Sequence, residues 1–278
     1  MSAASLTDRE FSQFQRFIYD AAGITMSNGK QALVSGRLAK RLAHHRLANY
    51  GDYLQLLHSR RDPAELQIAV DLLTTNETYF FREPKHFNLL RELAIRHVGD
   101  AREKGRALRV WSAASSSGEE AYSIAMVLAD VCGNGPGHAP WEVLGTDIST
   151  RMLQRARNGH YPTERASQMP HDYLKRFCLR GQGSEEGTML IDRALRQRVQ
   201  FQHVNLNEPL PKLGVFDVIF LRNVMIYFNL DTKRQVVARL LAQLRPGGHL
   251  LIGHSETLND INDTLSVVAP SIYRKDKQ

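Results

Sequence analysis

The sequence predicts an α/β protein: a doubly wound, mostly parallel sheet, preceded by an all-α domain and interrupted by a small antiparallel β insertion. Three observations carry this. From Leu108 onward, short apolar runs alternate with helical patterns. Residues 6 to about 75 carry helical signals only. Between Asp147 and Val199 the chain is far longer than one crossover helix needs, and Gly181, Gly183 and Gly187 sit there between two β-prone runs.

Along the chain, Thr7 followed by Glu10 forms a capping box that opens a helix through Tyr19. Gly23, Gly29, Gly51 and Pro63 punctuate the next segments. Leu33, Val34, Leu38 and Leu42 recur at helical spacing, which turns Arg37, Arg41 and His45 outward beside Lys40. No acid lies between Ala21 and Gly51, so this basic stripe repels itself and suits an acidic partner surface. Residues 1–75 form the expected helical domain, and 76–106 a linker with a helix from Pro84 to His97 and a polar end, GDAREKGR. Strands are expected at Leu108–Trp111, Val143–Thr146, Val199–Phe201, Phe216–Leu221 and His249–Gly253, with helices at Glu119–Val131 and Lys233–Leu244 between them. The insertion occupies about 165–198, and Leu265–Val268 with Ser271–Tyr273 make a last hairpin of the 107–278 domain.

Composition narrows the function classes. The chain has 278 residues, 42% hydrophobic and 23% charged, which is ordinary for a water-soluble globular protein. No basic-then-apolar leader opens it, and the apolar run at Val215–Leu221 is short and broken by Asp217, so a cytoplasmic protein without membrane insertion is expected. Cys132 and Cys178 lack CxxC or histidine partners, which predicts buried thiols and no metal. The net charge of +7 suggests an acidic partner.

The stretch LRVWSAASSSGEEAYSI, Leu108 to Ile124, concentrates the chemistry. An apolar strand ends in small residues and one glycine, then a helix opens with two acids; such a loop lets a ligand approach the backbone. Glu119 and Glu120 stand where a phosphate-binding loop would offer Gly, Lys and Ser or Thr, so the site disfavours anionic phosphate. S-adenosylmethionine (AdoMet), with a sulfonium, an ammonium and a ribose diol, fits that pattern. Asp147, ending the second strand, is placed to accept hydrogen bonds from both ribose hydroxyls. After the fourth strand come Arg222, Asn223 and Tyr227, at the edge where such sheets bind ligands, and Arg245-Pro246-Gly247-Gly248 reads as a turn. No Asn/Asp-Pro-Pro-aromatic segment or Pro-Cys pair is present, the devices of base methylation.

Together LLTTNETYFFRE (Leu72–Glu83), VWSAASSSGEEAYSIA (Val110–Ala125), FLRNVMIYF (Phe220–Phe228) and GHSE (Gly253–Glu256) resemble the chemotaxis receptor glutamate methyltransferases, the CheR family, over nearly the whole chain. The resemblance implies a Rossmann-like class I AdoMet methyltransferase sheet with an inserted β-subdomain, and methyl esterification of chemoreceptor glutamates without a metal. It implies AdoMet contacts at Asn76, Thr78, Arg82, Ala114, Glu120, Asp147, Asn205, Leu206, Arg222 and Asn223, with Arg82 and Tyr227 at the reacting centre. Arg180, Gly181, Gly183 and Gly187 fall where family members grip a receptor C-terminal pentapeptide, and Leu190 stands where a second arginine is usual. The first loop has Ser-Ser-Ser-Gly-Glu-Glu-Ala in place of the usual Cys-Ser-Thr-Gly-Glu-Glu-Pro. On this reading Arg37, Lys40 and Arg41 contact the receptor's helical bundle and nucleic acid is not a partner. The competing readings are a nucleic-acid methyltransferase, whose basic helix would touch phosphates, and a non-catalytic receptor adaptor that binds AdoMet only as a ligand.

Overall fold

The computed structural model describes residues 5–100, 105–133 and 138–276; part of the GDAREKGR segment lies outside them. The N-terminal domain packs α1 (Asp8–Ala22), α2 (Gln31–His45), α3 (Tyr50–His58) and α4 (Pro63–Leu73). Thr7 and Glu10 form the reciprocal capping box at the start of α1. Phe14, Ile18, Val34, Leu38, Tyr53, Leu57 and Ala69 make its core.

The rest of the chain comprises α5 (Pro84–Gly99), β1 (Leu108–Ser112), α6 (Glu119–Cys132), β2 (Trp141–Asp147) and α7 (Thr150–Asn158). There follow β3 (His160–Pro162), α8 (His171–Phe177), β4 (Cys178–Arg180), β5 (Thr188–Ile191), α9 (Arg193–Arg196) and β6 (Val199–His203). It closes with β7 (Phe216–Leu221), α10 (Leu230–Ala242), β8 (Leu244–Ile252), β9 (Leu265–Ala269) and β10 (Ile272–Lys275). The main sheet runs β6-β2-β1-β7-β8-β10-β9, parallel up to β8 and antiparallel through β10 and β9. Strand order reverses between β1 and β7, and a crevice at the carboxyl ends of these strands is where open α/β sheets take ligands. β3, β5 and β4 form the separate antiparallel sheet of the insertion.

Each face of the main sheet carries a core. Ile124, Leu128, Phe87 and Leu90 cover one face, Val236, Val237 and Leu240 the other. Strand β7 is buried throughout, and its Asp217 is tolerated because Arg106 Nη1 (2.9 Å), Arg245 Nη1 (2.6 Å) and the Arg109 N–H (2.9 Å) all donate to it. No helix among the described residues is long and apolar enough to cross a membrane. Cys132 is buried and Cys178 partly so, and burial pushes their thiols up to about 11 and about 12.

Three sequence readings need adjustment. The Arg245–Gly248 segment is no turn before a strand: β8 begins at Leu244, and a register shift against β7, with Gly247 at φ 77°, absorbs it. The insertion's first strand starts at His160, ahead of residue 165, because His160–Pro162 is too short to be seen as a strand until it pairs with Thr188–Leu190. The expected connector of residues 76–106 is instead partly core: Phe80, Phe81, Phe87, Leu90 and Ala94 pack with α6, and the Phe81 N–H donates to Ser123 Oγ at 3.0 Å.

Candidate functional site

At the β1/β7 reversal lies a cavity at the carboxyl ends of the strands, the position where open α/β sheets take ligands. Asn76, Thr78, Arg82, Ala114, Glu120, Asp147, Asn205, Leu206, Arg222, Asn223 and Tyr227 all line it. The structure therefore brings together every cofactor and reaction residue expected from sequence, from five separate stretches of chain.

The floor is the loop after β1. Gly118 has φ 98°, and a Cβ there would stand 2.8 Å from Ala156 Cβ, so only glycine lets this loop lie against α7. The loop's Ser116 N–H donates to Asp147 Oδ2 at 2.8 Å, while the Ser149 N–H donates to Oδ1 at 2.8 Å. Asp147 is 7% exposed; burial, reinforced by the charge of Asp71, pushes its carboxyl up to about 6 despite those two N–H donors.

Glu120 accepts from Ser112 Oγ (2.7 Å) and from Arg222 Nη1 (2.8 Å); burial pushes its carboxyl up and the Arg222 charge opposes this. Arg222 also pairs with Glu83 at 3.1 Å, so one buried guanidinium joins α6 to the segment before α5. Glu119 does not share the cavity. It lies one residue round the helix, accepts from Ser117 Oγ at 2.7 Å and pairs with Arg165 of the insertion at 3.2 Å. The expectation that two acids face the ligand is thus corrected to one. The cavity lining nonetheless carries Glu77, Glu120 and Asp147 against Arg82 and Arg222, a balance suited to a cationic ligand.

The loop after β7 is held from outside the cavity. Glu256, known to the sequence reading only as part of GHSE, accepts from the Asn223 N–H (2.9 Å), the Gly253 N–H (2.7 Å) and the Ile226 N–H (3.2 Å). It fixes Asn223 at φ 56°, a left-handed conformation. The N-terminal domain grips the same loop: the Thr25 N–H donates to the Tyr227 carbonyl at 2.7 Å, and Ile24 bridges Phe228. Arg82 is half-buried, with its guanidinium 5.6 Å from the Tyr79 ring centre. Asn205 spends its amide on the Ala21 carbonyl at 2.8 Å, which again ties the cavity wall to the N-terminal domain.

The basic stripe is where the sequence reading departs most. Arg41 does not point outward unpaired: it forms a two-pronged pair with Glu65, 2.9 Å from Nε to Oε1, and His45 lies 3.0 Å from the same carboxylate. The compensating acid sits on α4, beyond the acid-free interval. Arg37 turns its guanidinium onto the carbonyls of Leu73 (3.1 Å) and Thr74 (3.0 Å), closing the C-terminal end of α4. Of the three arginine and lysine residues expected to meet a receptor, Lys40 is exposed.

In the insertion, β4 is an outer strand with Leu179 and Arg180 exposed. Gly181 is packed closely: a Cβ there would collide with the Glu185 carbonyl oxygen. Gly183 and Gly187 have positive φ and open space around them, and Leu190 sits in the central strand between His160 and Leu179. Among the described residues, Glu83, His86 and His254 are the group whose ligand atoms come close enough for a metal, within 4.8 Å. The Arg222 guanidinium already holds Glu83 there, and its charge opposes a second cation.

Family models match both parts of the chain: "CheR methyltransferase, all-alpha domain" over residues 9–74 and "CheR methyltransferase, SAM binding domain" over 76–273. A chemotaxis protein methyltransferase of Escherichia coli K12 is 39% identical over 98% of this chain and 93% of its own length. Chemotaxis protein methyltransferase 2 of Pseudomonas aeruginosa is 41% identical over 96% of this chain and 93% of its own. Among solved structures, the N-methyltransferase NodS of Bradyrhizobium japonicum aligns with 69% of this chain and 87% of its own at TM-score 0.38 and 12% identity, a distant likeness. The chain belongs to the CheR methyltransferase family.

Proposed function

We propose that this protein transfers the methyl group of AdoMet to glutamate side chains of chemoreceptors in the cytoplasm, forming methyl esters and S-adenosylhomocysteine. The observation that carries the reading is the single cavity in which Asp147, Glu120, Arg222, Arg82 and Tyr227 converge. Its donor set fits AdoMet: Asp147 has two backbone donors and oxygen lone pairs to spare for a ribose diol, and the small-residue loop leaves room beside it. The names of the relatives supply the chemotaxis setting.

AdoMet supplies a methyl group activated on a positive sulfur. A substrate glutamate with pKa near ~4.3 is ionised at neutral pH, so no general base is required and no proton moves as the O–CH₃ bond forms and the S–CH₃ bond breaks. The protein's task is alignment, which can contribute on the order of 7–11 kcal/mol. Arg82, at the cavity wall with its Nη1 donating to the Glu77 carbonyl at 3.4 Å, is suited to orient a carboxylate by paired hydrogen bonds. Tyr227 lines the same wall and shields the centre from water.

For substrate engagement, Lys40 on α2 is assigned to the acidic receptor bundle, with Arg37 and Arg41 behind it as supports. The outer strand β4, which ends at Arg180, is assigned to a receptor C-terminal peptide added by main-chain hydrogen bonds. Incubation with labelled AdoMet and a receptor cytoplasmic fragment should yield a base-labile methyl ester. Transfer to RNA instead would return the nucleic-acid reading; AdoMet binding without transfer to any receptor would leave an adaptor. Deleting the receptor's last five residues should lower the rate at dilute receptor. An unchanged rate, with no pentapeptide binding below millimolar concentration, removes the tether.

A further inference from the structure

The turn from β2 into α7 is gripped by the N-terminal domain at three successive points. Ile148, directly after Asp147, packs its side chain against the N-terminal core as well as lining the cavity. Gln67 Nε2 on α4 donates to the Ile148 carbonyl at 2.9 Å and to Asp71 Oδ1 at 2.8 Å. Asp71, 5% exposed, accepts from the Thr150 N–H (3.1 Å), Thr150 Oγ1 (3.0 Å) and the Arg151 N–H (3.1 Å).

A carboxylate that accepts from the first N–H groups of a helix normally belongs to the cap residue of that same helix. Here Ser149 occupies the cap position and covers the Met152 N–H, at 3.2 Å. The two N–H groups ahead of it are satisfied by an acid from another domain. That acid's hold on Thr150 lies one residue from the Ser149 N–H, which orients Asp147 Oδ1.

We propose that Asp71, with Gln67, is a positioning residue through which the all-α domain sets the β2–α7 turn and thereby the aim of Asp147 into the AdoMet cavity. This rests on the proposed role of Asp147 toward the ribose. The physical reason is geometric. Asp147 lines the cavity and is held among the described residues by the Ser116 and Ser149 N–H groups; a turn free to shift by a fraction of an ångström would misdirect its remaining lone pairs. A carboxylate suits this task, because the two oxygens of Asp71 accept from Gln67, the Thr150 N–H and hydroxyl, and the Arg151 N–H, more donors than a neutral side chain of its size could take.

The test is calorimetric titration of the full chain with S-adenosylhomocysteine, beside thermal melting. Asp71→Ala should weaken binding roughly tenfold, and Asp71→Asn, whose one carbonyl oxygen can take the Thr150 N–H or the Arg151 N–H but not both, because they bond different oxygens of Asp71, should weaken it to an intermediate extent. With a receptor fragment, Asp71→Ala should raise KM for AdoMet and leave kcat at saturating AdoMet within about twofold. Glu65→Gln serves as comparison, because it loosens the N-terminal domain without touching the turn; it should lower the melting temperature and leave affinity alone.

Affinity of Asp71→Ala within twofold of the parent overturns the inference, as does equal weakening in Glu65→Gln. Should Asp71→Ala fail to fold, Gln67→Ala removes two bonds of the same clamp and Thr150→Val one, and unchanged affinity in both is equally decisive against it. Asp147→Ala separates the two levels. Unchanged affinity there removes the ribose assignment itself, whereas weakening there without weakening in Asp71→Ala removes only the clamp.

Discussion

Two carboxylates, Glu65 in the N-terminal domain and Asp147 in the AdoMet domain, are buried to a similar degree, 2% and 7% exposed, and behave oppositely. Burial alone would push both upward. Glu65 accepts from Arg41, from the Tyr53 hydroxyl at 2.6 Å and from His45, and these partners with the Arg41 charge bring it down to about 2. Asp147 has two backbone donors and an acidic neighbour, Asp71, and stands at about 6. A buried acid whose oxygens are taken up by charged and hydroxyl partners holds the architecture together; one that lines a cavity with acceptor capacity to spare is the kind of group proposed here for binding.

That contrast can be broken most directly at Asp147. Asp147→Ala removes the proposed hydrogen bonds to two ribose hydroxyls, each about 1.5–3 kcal/mol for a charged acceptor, so affinity should fall by two orders of magnitude or more, while any loss of stability comes from the Ser116 and Ser149 N–H groups left unpaired. Calorimetry showing a change under threefold would defeat the assignment.

The opposite pattern is expected at Arg41. Arg41→Met leaves Glu65 buried without its main partner, costing about 3–5 kcal/mol of stability, and should leave S-adenosylhomocysteine affinity within threefold. Chemical denaturation measures the first and calorimetry the second. A loss of affinity matching the loss of stability would dissolve the distinction between the two acids.

Acid pH sharpens it further. Protonated Asp147 loses acceptor capacity, so below about pH 6 ligand affinity should weaken by up to tenfold per pH unit, about 1.4 kcal/mol. The stability contributions have opposite signs. Asp147, raised above its ordinary 3.8, stabilises the unliganded fold fully below 3.8, and that contribution is lost as pH rises through about 6. Glu65, lowered from 4.5, contributes above 4.5 and loses its contribution as pH falls through about 2. Melting curves of Glu65→Gln and Asp147→Asn against the parent between pH 3 and 7 should therefore diverge in opposite directions; parallel curves would count against both assignments.

The smallest effect is expected at Lys40. Lys40→Glu should raise KM for receptor by less than about tenfold, more at low ionic strength, with AdoMet affinity unchanged. Salt-independent kinetics would return α2 to a purely structural role.

Much of the cavity was legible because its signals are local. A strand running into Ala113-Ala114-Ser115-Ser116-Ser117-Gly118, and an acid ending the next strand, place a loop and a carboxylate side by side in any doubly wound sheet. The charge partners were not legible. Arg41 reads as an exposed cation on α2 until α4 brings Glu65 against it, and adjacent Glu119 and Glu120 read as a pair until the helical twist sends one to Arg165 and the other to Arg222. Asp71 and Glu256 carry no sequence signal of their roles, since each serves N–H groups of a segment far away in the chain.

By itself the sequence determined the order of helices and strands, the capping box at Thr7, the small-residue loop and the residues available to the cavity. Those follow from periods of 3.6 and 2, from side-chain volume and from short-range hydrogen bonding, all of which act between near neighbours. Only the tertiary structure decided which charged groups are spent on one another and which remain for a ligand. A charge's partner is chosen by packing of distant elements, and in a buried site that choice outweighs the side chain's intrinsic chemistry, as Glu65 at about 2 and Asp147 at about 6 show.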